Sequence, residues 1–182
     1  MLRASPLLEH AACLSNGPSV SLTYAGMPNF FHVADPGLRV GEIIQPGKWG
    51  RETLAFAQRG RRGIQQDSDA INLIWEAALE AARIVRFPEA TSRLDCVFAC
   101  FQEEDARAFR DRFRPDHKIY GVELINPATP VTIGDYGAIT DAEPGPYVEM
   151  AAQIAATYWN ALKPRFPEAL IGGPVRVTFI AE

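Results

Sequence analysis

Apolar and polar positions along the 182-residue chain follow two periods, and the switches between them mark out the elements. Phe30-Phe31-His32-Val33 is the first compact apolar run and predicts a strand, closed by the turn Asp35-Pro36-Gly37. Residues 38–44 alternate enough for a second strand or short element before Pro46-Gly47. Residues 51–66 are polar and rich in Arg and Gly, which predicts one short helix over 53–58 and then a loop. From Asp67 or Ser68, both good helix N-caps, Ala70, Ile71, Ile74, Ala77, Ala78, Ala81 and Ile84 recur at helical spacing until Phe87-Pro88 stops the run. Residues 94–100 read as a short strand. The helix after it starts on Glu103, Glu104 and Asp105 and ends on Arg110, Arg112 and Arg114, which sets acid at its positive end and base at its negative end.

Further strands are predicted over 118–125 and 131–133, followed by the turn Gly134-Asp135-Tyr136-Gly137. Pro144 and Pro146 suit the first turn of a helix whose stripe is Val148, Ala151, Ile154, Ala155, Tyr158, Trp159 and Leu162. Leu170-Ile171 and residues 175–180 close the chain as two strands about the kink Gly172-Gly173-Pro174. Strands and helices do not alternate regularly, so the pattern predicts an α+β fold rather than a parallel doubly wound sheet. Residues 1–28 lack sustained periodicity and read as a loose leader with a short strand over 20–24, leaving 29–182 as a single domain.

Composition narrows the function classes. With 47% apolar and 22% charged residues the chain has the usage of a folded globular protein. Its net charge of −4 provides no global positive field for nucleic acid or anionic lipid, so such a partner would need a local patch, of which Arg59, Arg61 and Arg62 are the best. That patch also reads as an ordinary solvated loop cluster. Cys13, Cys96 and Cys100 are an odd count, which predicts free thiols and a reducing compartment. No metal is expected, because Cys96 and Cys100 have no second Cys/His pair at finger spacing. No run approaches the roughly 20 apolar residues of a membrane span, and the N-terminus lacks a signal-peptide core. A cytoplasmic location is expected, or export into a target cell by a route that leaves no such mark. Nothing in the pattern specifies an oligomeric state.

Three segments carry candidate chemistry. The first is Phe30-Phe31-His32-Val33 with the later Gly41-Glu42-Ile43-Ile44-Gln45-Pro46-Gly47; the second is the strand Cys96-Val97-Phe98-Ala99-Cys100 with its following helix; the third is Phe166-Pro167-Glu168-Ala169-Leu170-Ile171 with the strand after the kink. Singly, each has an ordinary structural explanation: a satisfied strand-end histidine, core phenylalanines, a solvated glutamate. Together and in order they resemble the signature segments of the ADP-ribosyltransferase superfamily, the fold of diphtheria-like toxins and poly(ADP-ribose) polymerases. The first segment is similar to the opening of small bacterial rifamycin-modifying ADP-ribosyltransferases. The overall pattern, with Ser92-Arg93 and Tyr158-Trp159, also resembles a group of small bacterial proteins assigned to the same fold.

The resemblance implies a split β-sheet core with flanking helices, clamping NAD, bound as a substrate, in an extended cleft. It implies that His32 hydrogen-bonds the adenosine-side ribose, that Phe98 and Phe109 flank the nicotinamide, and that Glu168 is the catalytic acid gripping the nicotinamide ribose. An acid there stabilises the oxocarbenium-like sugar formed as the nicotinamide–ribose bond breaks. Phe98 stands where the family has Tyr, so that hydroxyl is missing. Ser92 and Arg93 are further candidates, the guanidinium for the cofactor's pyrophosphate, although Arg93 equally suits a surface pair with Asp95 or Glu89. Glu123 reads as an outward strand residue, and Asp135 is the alternative carboxylate. The implied activity is mono-ADP-ribosyl transfer to an unidentified acceptor, whether protein side chain, small molecule, nucleic-acid end or water. Phe166 stands two residues before Glu168, where many side-chain-modifying transferases have an acid or Gln, which disfavours arginine as acceptor. The rival readings are a catalytically inactive NAD- or ADP-ribose-binding module and a protein-interaction module of effector, toxin or immunity type acting through the Arg59, Arg61 and Arg62 patch.

Overall fold

The computed structural model describes residues 30–59, 67–140 and 147–181. Two antiparallel sheets organise them. The larger has the order β1-β4-β7-β2, built from β1 (Phe30–Ala34), β2 (Ile43–Ile44), β4 (Lys118–Leu124) and β7 (Val175–Ala181). The smaller has the order β3-β6-β5, built from β3 (Val97–Ala99), β5 (Val131–Asp135) and β6 (Pro167–Ile171). Five helices accompany them: α1 (Lys48–Arg59), α2 (Asp67–Arg86), α3 (Glu103–Phe113), α4 (Tyr136–Thr140) and α5 (Tyr147–Trp159). The architecture is α+β.

The kink Gly172-Gly173-Pro174 carries the chain from one sheet to the other, because β6 ends in the small sheet and β7 begins in the large one. A mutual pair of hydrogen bonds at 2.8 and 2.9 Å between Phe31 and Cys100 ties β1 to the end of β3, so the sheets meet there. Strand periodicity then sorts the side chains. Val97, Ala99, Ala169 and Ile171 join Phe30, Tyr120, Val122, Val175 and Val177 in the main core, whereas Phe98 and Leu170 fall on the opposite side with Leu79, Ala155, Tyr158 and Trp159 of α2 and α5. Glu168, two residues before Leu170, shares that helix-covered side. A small third cluster of Cys100, Ala106, Ile119 and Ala181 seats α3.

Several boundaries differ from the expectation. The helix around residue 53 begins five residues earlier, at Lys48, and packs so closely on the 3-10 turn Arg93–Asp95 that a Cβ on Gly50 would fall 1.9 Å from the Leu94 carbonyl oxygen. That turn replaces the first half of the expected strand over 94–100, because the Ser92 hydroxyl caps it by accepting the Leu94 N–H at 3.1 Å. Residues 38–44 supply only the two-residue β2. Tyr136 opens a helix where a turn was expected. On α2 the expected apolar stripe is the wrong face: Ile74, Ala77, Ala81 and Ile84 are exposed, and Glu76 and Leu79 are buried. The helix is amphipathic, but its polar stripe of Asn72, Glu76, Glu80 and Arg83, with Leu79 among them, is the side turned inward. The face is chosen by α5, whose Trp159 Nε1–H donates to the Leu79 carbonyl at 2.8 Å, and by a buried partner for Glu76. In α5 the stripe Ala151, Ile154, Ala155, Tyr158 and Trp159 is buried, while Leu162 lies beyond the helix and is exposed. The leader, Arg61, Arg62 and Cys13 lie outside the described residues.

Candidate functional site

A cleft of about 410 Å³ opens where β1 meets β3, within the size range of small-molecule sites. Its lining draws His32 from β1, Phe98 from β3, Phe109 from α3, Tyr136 from α4, Phe166 from just before β6 and Glu168 from β6. Strand alternation turns Phe98 and Glu168 to one side, and the Phe31–Cys100 pair of hydrogen bonds holds β1 against β3. The His32 Nδ1–H donates to the Phe98 carbonyl at 2.6 Å. Its Nδ1 proton is thereby fixed and Nε2 is left as an acceptor. Burial pushes the His32 imidazole below its ordinary value, with Lys48 and His117 adding to the fall against the raising effect of the Phe98 bond, so the neutral ring prevails at pH 7.

Phe109 packs against Tyr136 at 5.5 Å between ring centroids, and Tyr136 against Phe166 at 6.2 Å, both edge-on. Burial raises the Tyr136 hydroxyl, which stays protonated. At the cleft mouth Lys48 and Arg114 supply cationic charge, and Asp35 accepts from Lys48 Nζ at 3.4 Å with His117 Nε2 also 3.4 Å from its other oxygen.

Glu168 is only 8% exposed, and its side-chain hydrogen bonds to described residues converge on one oxygen. Oε1 accepts from Arg93 Nη1 and, at 2.6 Å, from the Tyr158 hydroxyl, which itself accepts from Arg93 Nη1 at 2.7 Å. The rest of the guanidinium grips Glu76 of α2, with Nε at 3.0 and 3.2 Å from its two oxygens and Nη2 at 3.0 Å. Arg93 also lies 4.8 Å from the Phe98 ring centroid and 4.9 Å from that of Tyr158. Burial works against the charged guanidinium, but the carboxylates around it outweigh burial and hold Arg93 well above its ordinary value.

Arg93 therefore pairs with neither Asp95 nor Glu89, and its donors are turned to Glu76, Tyr158 and Glu168 rather than outward for a pyrophosphate. Ser92 does not line the cleft; its hydroxyl donates to Glu80 at 2.8 Å and caps the 3-10 turn. Asp135 is buried, and its Oδ1 accepts the backbone N–H groups of Gly137, Arg165 and Phe166 at 3.0 to 3.1 Å, which pins the approach to β6. Glu123 pairs with Arg176 across β4 and β7 at 3.0 Å, on the outside of the large sheet. Cys96 and Cys100 are free and buried, and burial raises both thiols, Cys100 to about 12. Among the described residues no three His, Cys, Asp or Glu side chains are grouped to hold a metal ion, and no helix is long and apolar enough to cross a membrane.

Residues 39–182 match the family model described as Protein of unknown function (DUF2441). The chain belongs to the DUF2441 family. No curated protein matches it. The DUF2441 match takes in Glu76, Arg93, Phe98, Phe109, Tyr158 and Glu168, whereas His32 lies upstream of it. Sequence reasoning missed Glu76, Tyr136 and Lys48 as parts of this cleft and of the charge cluster beside it, and gave Tyr158 no role at the site. One signal was available: Glu76 lies in a polar stripe with Asn72, Glu80 and Arg83, and a glutamate on such a stripe, once turned inward, needs a buried cation.

Proposed function

We propose that the cleft binds NAD in its oxidised form and that the protein transfers ADP-ribose from it to an acceptor nucleophile, releasing nicotinamide, on an ADP-ribosyltransferase-like split-sheet core. The observation that carries the reading is that His32, Phe98, Phe109 and Glu168, drawn from four separate elements, line one cleft. Their chemistry suits the parts of NAD. The inner end combines aromatic rings with a carboxylate whose neighbouring guanidinium already serves a second carboxylate, so the cluster of one cation and two anions carries surplus negative charge. Such an end favours a pyridinium over a neutral dihydropyridine ring.

In this reading the nicotinamide–ribose C–N bond breaks with its electron pair leaving on nicotinamide. The acceptor forms the new bond to the same ribose carbon and loses its proton. Glu168 accepts a hydrogen bond from a ribose hydroxyl and stabilises the positive charge developing on the sugar. Neutral His32 accepts from a hydroxyl of the other ribose through Nε2. Lys48 and Arg114 at the cleft mouth, rather than Arg93, face the diphosphate. Tyr136 brings to the aromatic end the hydroxyl that Phe98 lacks. Phe166 lines the wall and presents no acid to an incoming guanidinium, in keeping with an acceptor other than arginine.

A second reading draws on two observations: Phe98 has no hydroxyl, and Glu168 is held in a buried ion pair. It makes the protein a catalytically inactive NAD- or ADP-ribose-binding module. The two separate in one assay, nicotinamide release from NAD with cell extract supplied as acceptor, run on wild type and Glu168→Ala alongside NAD binding. Transfer predicts release by wild type that collapses in the variant. Binding without release supports the inactive module, and neither binding nor release overturns both.

A further inference from the structure

The environment of Glu168 is more elaborate than burial of one acid requires. A single guanidinium would neutralise it, yet Arg93 is shared with Glu76, itself 4% exposed, so two carboxylates are buried around one cation. Burying a second carboxylate is costly unless it secures something else. It secures geometry. Glu76 takes the Nε and Nη2 edge of the fork from α2, and the two rings of Phe98 and Tyr158 hold the guanidinium plane, so Nη1 alone can reach β6.

Tyr158 completes the arrangement from α5, and its ring fits only because residue 134 is glycine. Gly134 stands directly opposite Glu168 in the β5–β6 register, and a Cβ there would lie 2.2 Å from the Tyr158 hydroxyl oxygen. Both donors then converge on Oε1, and no described group donates to Oε2, while Glu168 lines the cleft. We propose that Arg93, Tyr158 and Glu76 are positioning residues that clamp Glu168 through Oε1 and present Oε2, fixed in rotamer, to the ligand in the cleft. This rests on the transfer reading above, in which Oε2 is the atom that meets the ribose. A clamp of this kind leaves ligand affinity largely alone and acts on the reacting geometry, where a misplacement of about 1 Å costs on the order of 100-fold in rate.

The test is steady-state nicotinamide release by the full chain across a range of NAD concentrations, comparing wild type with Tyr158→Phe, which removes one oxygen and keeps the ring. The expected result is a kcat lower by about 10- to 100-fold with KM for NAD within about twofold of wild type, the split that marks lost positioning rather than lost binding. Cooperative urea unfolding is verified first. Should Tyr158→Phe fail to fold, Glu76→Gln replaces it, leaving both bonds to Glu168 in place while loosening the anchor on Arg93, with a smaller fall in kcat at unchanged KM expected. Glu80→Gln, at the Ser92 pair away from the cleft, should match wild type. An active wild type whose variant keeps kcat, or changes only KM, overturns the clamp and leaves the transfer reading standing. A wild type that binds NAD yet releases no nicotinamide overturns the transfer reading, and the clamp with it.

Discussion

Replacing Arg93 by Met tests whether the buried charge cluster is organised as described. The substitution roughly keeps the volume and removes the cation that pairs with both Glu76 and Glu168, which are 4% and 8% exposed. It strips three donor contacts from Glu76 and one from Glu168, and leaves the two carboxylates facing the same buried space. Breaking a buried ion pair by deleting one partner costs about 3–5 kcal/mol, because the survivor is uncompensated, and here there are two survivors. Against a total stability of roughly 5–15 kcal/mol this is a large share. At about 2–4 °C per kcal/mol for a chain of this length, Tm should fall by about 6–20 °C. Urea unfolding should show a lower midpoint with little change in slope. The triple variant Arg93→Met, Glu76→Leu, Glu168→Leu should recover most of the loss, since removing a whole buried ion cluster is far cheaper than breaking it. A single variant that loses less than about 1 kcal/mol, or a triple variant no more stable than the single one, would refute the description of a buried cluster held together by Arg93.

Leu79→Ala, at a position with no exposed surface, should cost about 2–5 kcal/mol, whereas Ile84→Ala, at 59% exposure, should stay within about 0.5 kcal/mol; equal effects in denaturant titrations would contradict the orientation of α2. Gly134→Ala drives a Cβ into the fully buried Tyr158 ring and should destabilise by about 1–3 kcal/mol, relieved in part by Tyr158→Leu; additive losses in the double variant would show that the two positions do not meet. Cys100 is raised in the folded state to about 12 from an ordinary 9.0, so the unfolded chain loses this proton first. Its contribution is fully present below pH 9 and is lost as pH rises toward 12, with a slope of about 1.4 kcal/mol per pH unit that should be missing from Cys100→Ala in stability measurements across that window.

The fold class was legible because strands and helices fail to alternate, and most element positions followed from period and turn residues: β1, β4, α3, α5 and the pair β6 and β7 all lie where the pattern puts them. What was hidden depends on pairing across long separations. The partners of Arg93 lie 17, 65 and 75 residues away, while Asp95 and Glu89 are close by, so local reading offered only nearby pairs beside the pyrophosphate. The face of α2 was hidden for the related reason that its polar stripe turns inward to meet Arg93, a partner 17 residues away, while its apolar stripe is left outside. The 3-10 turn at Arg93–Asp95 was hidden because its cap, Ser92, was read as a candidate binding residue rather than as a helix start. His32, Phe98, Phe109 and Glu168 were readable as a set through resemblance alone; no periodicity brings β1, β3, α3 and β6 to one cleft.

The most direct test of the account is calorimetric titration of the full chain with oxidised and reduced NAD side by side. The cleft as described, with neutral His32, an aromatic inner end and surplus negative charge around Glu168, predicts saturable binding of oxidised NAD and markedly weaker binding of the reduced form. Equal affinity for both would contradict the charge argument at the inner end, and no heat from either would contradict the assignment of the cleft to NAD.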